Sequence, residues 1–119
     1  MCFHNRQIHE KVELEKRFNA QFHNYDFEYE PHEHYNGINC PQTPVITNNE
    51  PETIQLFHWG LIPSWAKDDT IRRNTLNARS ETLQEKASFK NVIQNRCLVI
   101  SDGFYEWQYL DPKGTKKQN

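Results

Sequence analysis

The hydrophobic positions near the start of the chain repeat at the spacing of a helix. Leu14, Phe18 and Phe22 lie four residues apart, and the charged residues of the segment occupy other positions: Glu10, Lys11, Glu13, Glu15, Lys16 and Arg17. This spacing brings apolar side chains to one side of a helix, so we predict an amphipathic helix over residues 8–22. Residues 26–44 show no such period and contain prolines and a glycine, which predicts an ordered loop.

The remaining apolar stretches are short and predict strands. Residues 45–47 and 53–59 favour two strands separated by a turn at residues 48–51. The compact apolar run at residues 97–100 is typical of a buried central strand. Residues 104–110 follow an Asp-Gly turn and predict a further strand.

Polar segments connect these strands. Residues 64–80 have the composition of a loop that exposes Trp65. Serines favour short helices over residues 80–86 and 88–94, because a serine side chain can cap a helix. A proline early and a glycine late in residues 111–114 predict a reverse turn and a returning strand. Together these elements predict an α+β fold that is mostly β, with short peripheral helices.

The returning strand has only five residues available after Gly114. A hairpin arm of that length would leave the edge of its partner strand exposed. We therefore expect residues 1–119 to be the N-terminal part of a single domain whose C-terminal half is missing from this sequence.

Composition limits the function classes. Hydrophobic residues make up 35% of the chain, and the mean hydropathy is -0.98. No apolar run approaches the length of a membrane span, and the polar N-terminus does not resemble a signal peptide, so we expect a cytoplasmic protein without a membrane partner. Three cysteines in a reducing compartment favour free thiols.

Charge is unevenly distributed along the chain. The formal net charge is -2, but residues 1–56 hold 4 basic and 9 acidic residues, whereas residues 57–119 hold 10 and 7. A polyanion such as nucleic acid would therefore meet a local basic face, built mainly by the second half. The alternative is an ordinary solvated surface.

The second residue is a cysteine, and removal of Met1 would place its amine next to its thiol. An α-amine has a lower ordinary pKa than a lysine amine, so more of it is neutral and nucleophilic near pH 7. Such an amine attacks an aldehyde to give an imine, and the thiol can then close a thiazolidine ring. The alternative is that Cys2 merely follows the initiator methionine.

Glu106 is a second candidate for catalysis. On a strand it stands between Tyr105 and Trp107, with Phe104 on its own face. Aromatic neighbours would exclude water and favour the protonated form, which can donate a proton. The alternative is a glutamate on the solvated side of a half-exposed strand.

Asn77 and Arg79 point the same way if their segment is extended. An amide and a guanidinium together can hold an oxyanion, a phosphate or a sugar hydroxyl. The alternative is loop polarity with a salt bridge from Arg79 to Glu81.

Other side chains carry weaker signals. Trp65 can stack on bases, and Arg72 and Arg73 can contact phosphates or can simply be solvated. The histidines and Cys40 do not have the spacing of a common zinc site, so we predict no metal and no cofactor.

The order of these motifs resembles the SRAP (SOS response-associated peptidase) family, whose members sense abasic sites in DNA. The resemblance covers essentially the whole chain. It rests on Met1-Cys2, Tyr35-Asn36, Trp59-Gly60-Leu61-Ile62-Pro63-Ser64-Trp65, Leu76-Asn77-Ala78-Arg79-Ser80-Glu81-Thr82, Ser88-Phe89-Lys90, residues 96–107 and Lys116-Lys117-Gln118.

The resemblance implies a compact, mostly β domain with a positive groove for single-stranded DNA. It also implies a thiazolidine crosslink from Cys2 to the aldehyde of an abasic sugar, with Glu106 as acid and base and Asn77 orienting Cys2 and the sugar. Arg79 would contact phosphate, and Trp65 would stack on bases. We expect a monomer that joins the nucleoid when it binds DNA.

The chain departs from the family pattern at three points. Phe3 and His4 follow Cys2 where the family has glycine and arginine; Phe3 could stack on a base, and His4 would be a weaker phosphate anchor. The family's catalytic histidine lies in the missing half, so we expect the chain alone to be inactive or impaired. A retained Met1 would convert the Cys2 amine into an amide and block the chemistry.

Two other functions fit the same residues. An autoprocessing peptidase would use Cys2 to attack a peptide carbonyl, and the family name reflects that suggestion. Lyase-type activity belongs with the crosslinking hypothesis. A non-catalytic single-strand binding module would use Trp65 and the basic half, and its binding would not depend on Cys2.

Overall fold

The computed structural model describes residues 1–23 and 29–118, which contain one α-helix and nine short strands. The expectation of an α+β fold that is mostly β is confirmed. In chain order the elements are β1 His4–Gln7, α1 Lys11–Phe18, β2 Gln21–Phe22, β3 His32–Asn36, β4 Gln42–Thr47, β5 Thr53–His58, β6 Cys97–Val99, β7 Gly103–Phe104, β8 Gln108–Tyr109 and β9 Lys117–Gln118. Two 3-10 helices span Gly37–Asn39 and Thr70–Asn74.

The strands form two small sheets and a hairpin. One sheet has three strands in the order β3-β1-β7, and both pairings are antiparallel. The other has four strands in the order β2-β5-β4-β6, in which only β2 and β5 run parallel. Strands β8 and β9 pair across residues 111–114, so the turn and returning strand expected from the sequence are confirmed.

The hydrophobic core lies between α1 and the four-stranded sheet. Ile54 on β5 is completely buried, and Leu14 on α1 is 2% exposed. Burying a side chain of this size contributes about 1.5–3 kcal/mol to stability. The core cluster comprises Leu14, Ala20, Tyr29, Ile46, Ile54 and Ile100, with Phe18, Phe22 and Leu56 packed against it.

Helix α1 is shorter at both ends than the predicted helix over residues 8–22. It begins after Glu10, whose backbone N–H donates to the Glu13 carboxylate at 2.8 Å. It ends at Asn19, which adopts a left-handed conformation with φ 48°. This reversal turns the chain into β2, so the last predicted turn of helix becomes strand.

The predicted loop over residues 26–44 was wrong at residues 32–36 and 42–44, which form β3 and the start of β4. Strand β3 has a single buried side chain, Tyr35, so its sequence has no apolar alternation. It forms by backbone pairing with β1. Residues 26–28 of that loop lie outside the described residues.

The two helices predicted over residues 80–86 and 88–94 were also wrong. The segment is a series of turns in which several N–H groups bond to the carbonyl three residues earlier, as Thr82 does to Arg79 at 3.2 Å. Few of its side chains are shielded from solvent. Amphipathic packing, which stabilises most short helices, is therefore weak here.

The run at residues 97–100 was expected to be a buried central strand and is instead an edge strand. Within the described residues, β6 pairs with β4 alone. Leu98 and Val99 are 59% and 55% exposed, while Ile100 enters the core. The predicted strand over residues 104–110 is interrupted between β7 and β8.

A carboxylate joins β1 to the chain just before β7. Arg6 Nε donates to Asp102 Oδ1 at 2.8 Å, and the Ile8 N–H donates to Oδ2 at 3.0 Å. The Asp102 side chain is 15% exposed. This burial disfavours the charged form, but the Ile8 N–H and the Arg6 guanidinium outweigh it and lower the pKa of Asp102 below its ordinary value.

We expect Asp102→Asn to lower the free energy of unfolding near neutral pH by about 1 kcal/mol, a value discounted for partial solvation. A carboxyl with a lowered folded-state pKa stabilises above its unfolded-state pKa, and this contribution is lost as pH falls through the folded-state pKa. The difference from wild type should therefore shrink below about pH 4. Urea unfolding at several pH values measures it.

Asp69→Asn is the matched control, because the Asp69 side chain makes no capping hydrogen bond. It should show no comparable pH-dependent difference from wild type. A destabilisation by Asp102→Asn that stays constant throughout the acid range would contradict the assignment.

Candidate functional site

Backbone hydrogen bonds on both sides hold the N-terminal segment. The Gly37 N–H donates to the Phe3 carbonyl at 2.7 Å. On the other side, the Tyr105 N–H donates to the His4 carbonyl at 3.0 Å. Because Phe3 and His4 are fixed in this way, the position of Cys2 is limited by the sheet next to it.

Glycine at position 37 permits this close approach. A Cβ on Gly37 would lie 3.1 Å from Trp59 Cε2 and 3.2 Å from the Phe3 carbonyl oxygen. Any larger residue would therefore press on both the indole and the N-terminal segment. The Trp59 indole N–H in turn donates to the Leu76 carbonyl at 2.8 Å.

A cleft of about 620 Å³ opens beside the N-terminus. Four of its lining residues are aromatic and two are carboxylic acids, which gives it both stacking surfaces and groups that can exchange protons. The lining consists of Met1, Phe3, His4, Glu33, His34, Tyr105, Glu106, Trp107 and Tyr109.

The structure brings Glu106 to the N-terminal residues. In the pairing of β1 with β7, Asn5 lies opposite Phe104, and the next bond joins Tyr105 to His4. Glu106 continues this direction and lines the same cleft as Phe3 and His4. Its side chain is exposed, so of the two alternatives drawn from the sequence the structure agrees with the solvated glutamate and not with one enclosed by aromatic rings.

Cys2 is half-buried beside this cleft. Its Sγ lies 3.6 Å from the His4 carbonyl oxygen, to which the thiol donates. Met1 is 75% exposed and lines the cleft. Removal of Met1 would therefore leave the Cys2 amine at the edge of the cleft.

Asn77 follows Leu76, whose carbonyl is held by Trp59. Its Nδ2 is buried and has no hydrogen-bond partner among the described residues. A buried amide donor without a partner is costly, and such groups in native proteins are explained by local strain, by a catalytic role or by a bound water or ion. The Trp59 indole contacts both Gly37, which bonds to Phe3, and Leu76, the residue before Asn77; Asn77 itself is not among the residues that line the cleft.

The other predicted DNA-binding residues, Trp65, Arg72, Arg73 and Arg79, are not among the residues that line the cleft. Trp65 is 54% exposed, and its indole N–H donates weakly to the Ala87 carbonyl at 3.4 Å. Arg73 and Arg79 are exposed. Their exposure suits contact with a polyanion. Within the described residues Arg79 forms no ion pair with Glu81, so the salt bridge considered as the alternative is not present.

Arg72 is half-buried in the second 3-10 helix. Its backbone packs on Gly60, where a Cβ would lie 2.7 Å from the Arg72 carbonyl oxygen, and Gly60 has φ 103°. Only glycine adopts that conformation readily. Arg72 Nε is buried without a hydrogen-bond partner in the described part of the chain.

Sequence reasoning missed several residues of the cleft. His34 was considered only as a metal ligand, and Glu33 and Gly37 lie in the segment predicted to be a loop. Tyr105 was expected only as an aromatic neighbour of Glu106, yet its hydroxyl donates to the Glu33 carbonyl at 3.1 Å. The alternation of exposed and buried positions that reveals a strand is absent from β3, so the sequence carried no signal for these contacts.

In the part of the chain that the structure describes, no helix is both long and apolar enough to cross a membrane.

Two solved structures resemble this fold. A crystal structure of a protein from Bacteroides thetaiotaomicron has a TM-score of 0.82 and 35% sequence identity, and the match covers 98% of this chain and 51% of that one. A protein from Bordetella bronchiseptica has a TM-score of 0.69 at 24% identity over 98% of this chain and 54% of its own, a likeness of fold alone.

Curated relatives match shorter stretches. The abasic site processing protein YoqW of Bacillus subtilis (strain 168) is 47% identical over 70 residues, which are 58% of this chain and 31% of that protein. The abasic site processing protein HMCES of Rattus norvegicus is 51% identical over 57 residues, 44% of this chain and 16% of that protein. The chain therefore matches about a third of YoqW and less of HMCES.

The family model of SOS response associated peptidases matches residues 1–119, the whole of the chain. The fold is mostly β with a single α-helix among the described residues, and it matches the Bacteroides structure over 98% of this chain. The chain belongs to the SOS response associated peptidase (SRAP) family.

Proposed function

We propose that the protein senses abasic sites in single-stranded DNA and forms a covalent thiazolidine crosslink through Cys2 after removal of Met1. The observation that carries the proposal is the cleft in which the N-terminal segment and Glu106 meet. The names of its relatives, abasic site processing proteins, support the substrate.

The chemistry needs an aldehyde, an amine and a thiol. The Cys2 amine adds to C1′ of the ring-opened abasic sugar, and the resulting carbinolamine loses water to give an imine. The thiol then adds to the imine carbon, and the nitrogen takes up the proton released by sulfur. Aldehyde and aminothiol thus become thiazolidine and one water, without an oxidant or reductant.

Glu106 is the proposed acid and base of this sequence. It would protonate the leaving hydroxyl of the carbinolamine and accept protons from the amine. Its exposure allows exchange with solvent before the strand binds. Asn77 would offer its buried Nδ2 to the sugar or to the Cys2 backbone, which would supply the partner that this amide lacks.

Exposed aromatic and basic side chains would hold the strand. Trp65 and Phe3 would stack on bases, an interaction that is available to every base and so depends little on the DNA sequence. Arg72, Arg73 and Arg79 would contact phosphates. We propose that the protein binds as a monomer in the cytoplasm and associates with the nucleoid through DNA.

We also propose that residues 1–119 are the N-terminal part of a single domain. Leu98, Val99, Phe104 and Leu110 are all more than half exposed. Large exposed apolar side chains in close succession mark surfaces that another part of a protein covers. This chain matches 51% of the Bacteroides protein, and the rest of a protein of that length could cover these side chains.

The family description keeps peptidase activity as a second candidate. Intact mass distinguishes the two: loss of Met1 alone is uninformative, whereas cleavage of a longer leader or of an added peptide favours a peptidase. Lyase-type strand cleavage at the abasic site would instead appear as a shortened oligonucleotide.

Cys2→Ala should abolish formation of a heat-stable adduct with a single-stranded oligonucleotide that carries one abasic site. The variant lacks the thiol that closes the ring, so any imine remains hydrolysable. Denaturing gel electrophoresis with intact-mass detection measures the adduct.

Cys97→Ala is the matched control, because Cys97 is exposed and lies on β6. It should crosslink like the wild type. A heat-stable adduct that persists in Cys2→Ala, or its absence in a wild type of verified Met1 removal, would overturn the proposed function.

Glu106→Gln should slow adduct formation by about 10²–10⁴-fold, the usual contribution of a general acid or base. Reversible binding of an undamaged strand should change little, because the substitution keeps the size of the side chain. Glu85→Gln, at an exposed turn, provides the control. Equal crosslinking rates for Glu106→Gln and Glu85→Gln would remove Glu106 from the mechanism.

A further inference from the structure

Two histidines from neighbouring strands meet in the cleft. His34 Nε2 lies 2.9 Å from His4 Nδ1, and the ring centroids are 4.8 Å apart. The Tyr105 ring packs edge-on against His34 with a centroid distance of 5.5 Å. Both histidines line the cleft beside the N-terminus.

The distance between His34 Nε2 and His4 Nδ1 limits the positions that the protons of the pair can occupy. A separation of 2.9 Å is that of a hydrogen bond with one proton between the nitrogens. In the neutral pair, one of the two outer nitrogens carries a proton and the other does not. One added proton gives a monocation in which both outer nitrogens, His4 Nε2 and His34 Nδ1, are N–H donors.

The surroundings contain charges of both signs. Arg6 shares the less buried face of β1 with His4, and its bond to Asp102 uses only Nε. Glu33, Glu106 and the N-terminal amine also border the cleft, as does the Tyr105 phenol, which donates to the Glu33 carbonyl. When the histidine pair is neutral, the carboxylates of Glu33 and Glu106 repel an anion in the cleft. The added proton gives the pair a positive charge that offsets this repulsion, and it supplies a second N–H donor.

We propose that His4 and His34 together form a binding site for a phosphodiester group of a nucleic acid strand, occupied when the pair carries one added proton. A phosphodiester has one negative charge and two free oxygens, which matches one positive charge and two N–H donors. The site deepens the proposed function, because it gives the cleft a pH-dependent hold on the strand and adds His34 to the residues that bind it.

The test is reversible binding of undamaged oligothymidylate, measured by fluorescence anisotropy at about pH 5.5 and about pH 8, on either side of the range in which histidine ordinarily changes charge. Thymine does not titrate between these values. Wild type should bind about fivefold more tightly at the lower pH, the upper range for one exposed charge pair. The slope of log affinity against log salt should steepen by about 0.7.

His34→Gln should reduce this gain, because His4 can still take up a proton but the second N–H donor, His34 Nδ1, is lost. His58→Gln on β5 is the matched control and should keep it. His4→Arg should bind at both pH values, because a guanidinium stays charged. His4→Arg keeps the proposal testable if His34→Gln fails to fold.

A pH dependence equal to that of the wild type in His34→Gln, or in His4→Arg if His34→Gln does not fold, would overturn the site. NMR signals of the His4 and His34 rings distinguish a phosphodiester of the strand from free phosphate. These signals should shift when oligothymidylate is added at the lower pH. If inorganic phosphate shifts them and the oligonucleotide does not, the strand assignment is wrong. Because an undamaged strand cannot crosslink, these results are independent of whether Cys2 forms an adduct.

Discussion

The structure of the site depends on the pairing of β1 with strands on both of its sides. Hydrogen bonds from Gly37 to the Phe3 carbonyl and from Tyr105 to the His4 carbonyl fix the residues that follow Cys2. Without them the N-terminus would be an ordinary flexible end, and an amine that moves freely has no fixed geometry relative to an acid. Because of this pairing, Phe3 and His4 form one side of the cleft.

This strand is held by its backbone and by polar contacts, since none of its four side chains is apolar. Gln7 is 2% exposed, and its side-chain oxygen accepts from the His9 N–H at 3.0 Å. Arg6 and Ile8 both bind the Asp102 carboxylate. The hydrophobic core lies elsewhere, between α1 and the second sheet, so the site and the core are stabilised by different interactions.

The sequence predicted the elements whose apolar pattern is strong. Residues 53–59 alternate and form β5, the turn at residues 111–114 has the residues that its geometry needs, and Leu14 and Phe18 face the core. The sequence did not predict the strands that form by backbone pairing alone. These are His4–Gln7 and His32–Asn36, whose polar sequences are typical of loops. Helices were wrongly expected at residues 80–94, where capping residues are present but a buried face is not.

The candidate site was predictable in part. Cys2 and Glu106 were selected from their chemistry, and the structure brings the N-terminal segment and Glu106 to one cleft. His34 was not selected for this role, because its contact with His4 depends on a strand that the sequence does not reveal. The buried Asn77 amide and the Gly37 contact likewise depend on long-range packing through Trp59.

Amide hydrogen exchange of Gly37 and Tyr105 measures whether strand pairing fixes the N-terminal segment. Their N–H groups bond to the carbonyls of Phe3 and His4, so both should exchange far more slowly than the exposed turn amides of residues 80–94. They should lose that protection together when residues 1–4 are deleted, while Ile54 in the core stays protected. Exchange of Gly37 and Tyr105 at the rate of an unstructured chain, with Ile54 protected, would contradict the account.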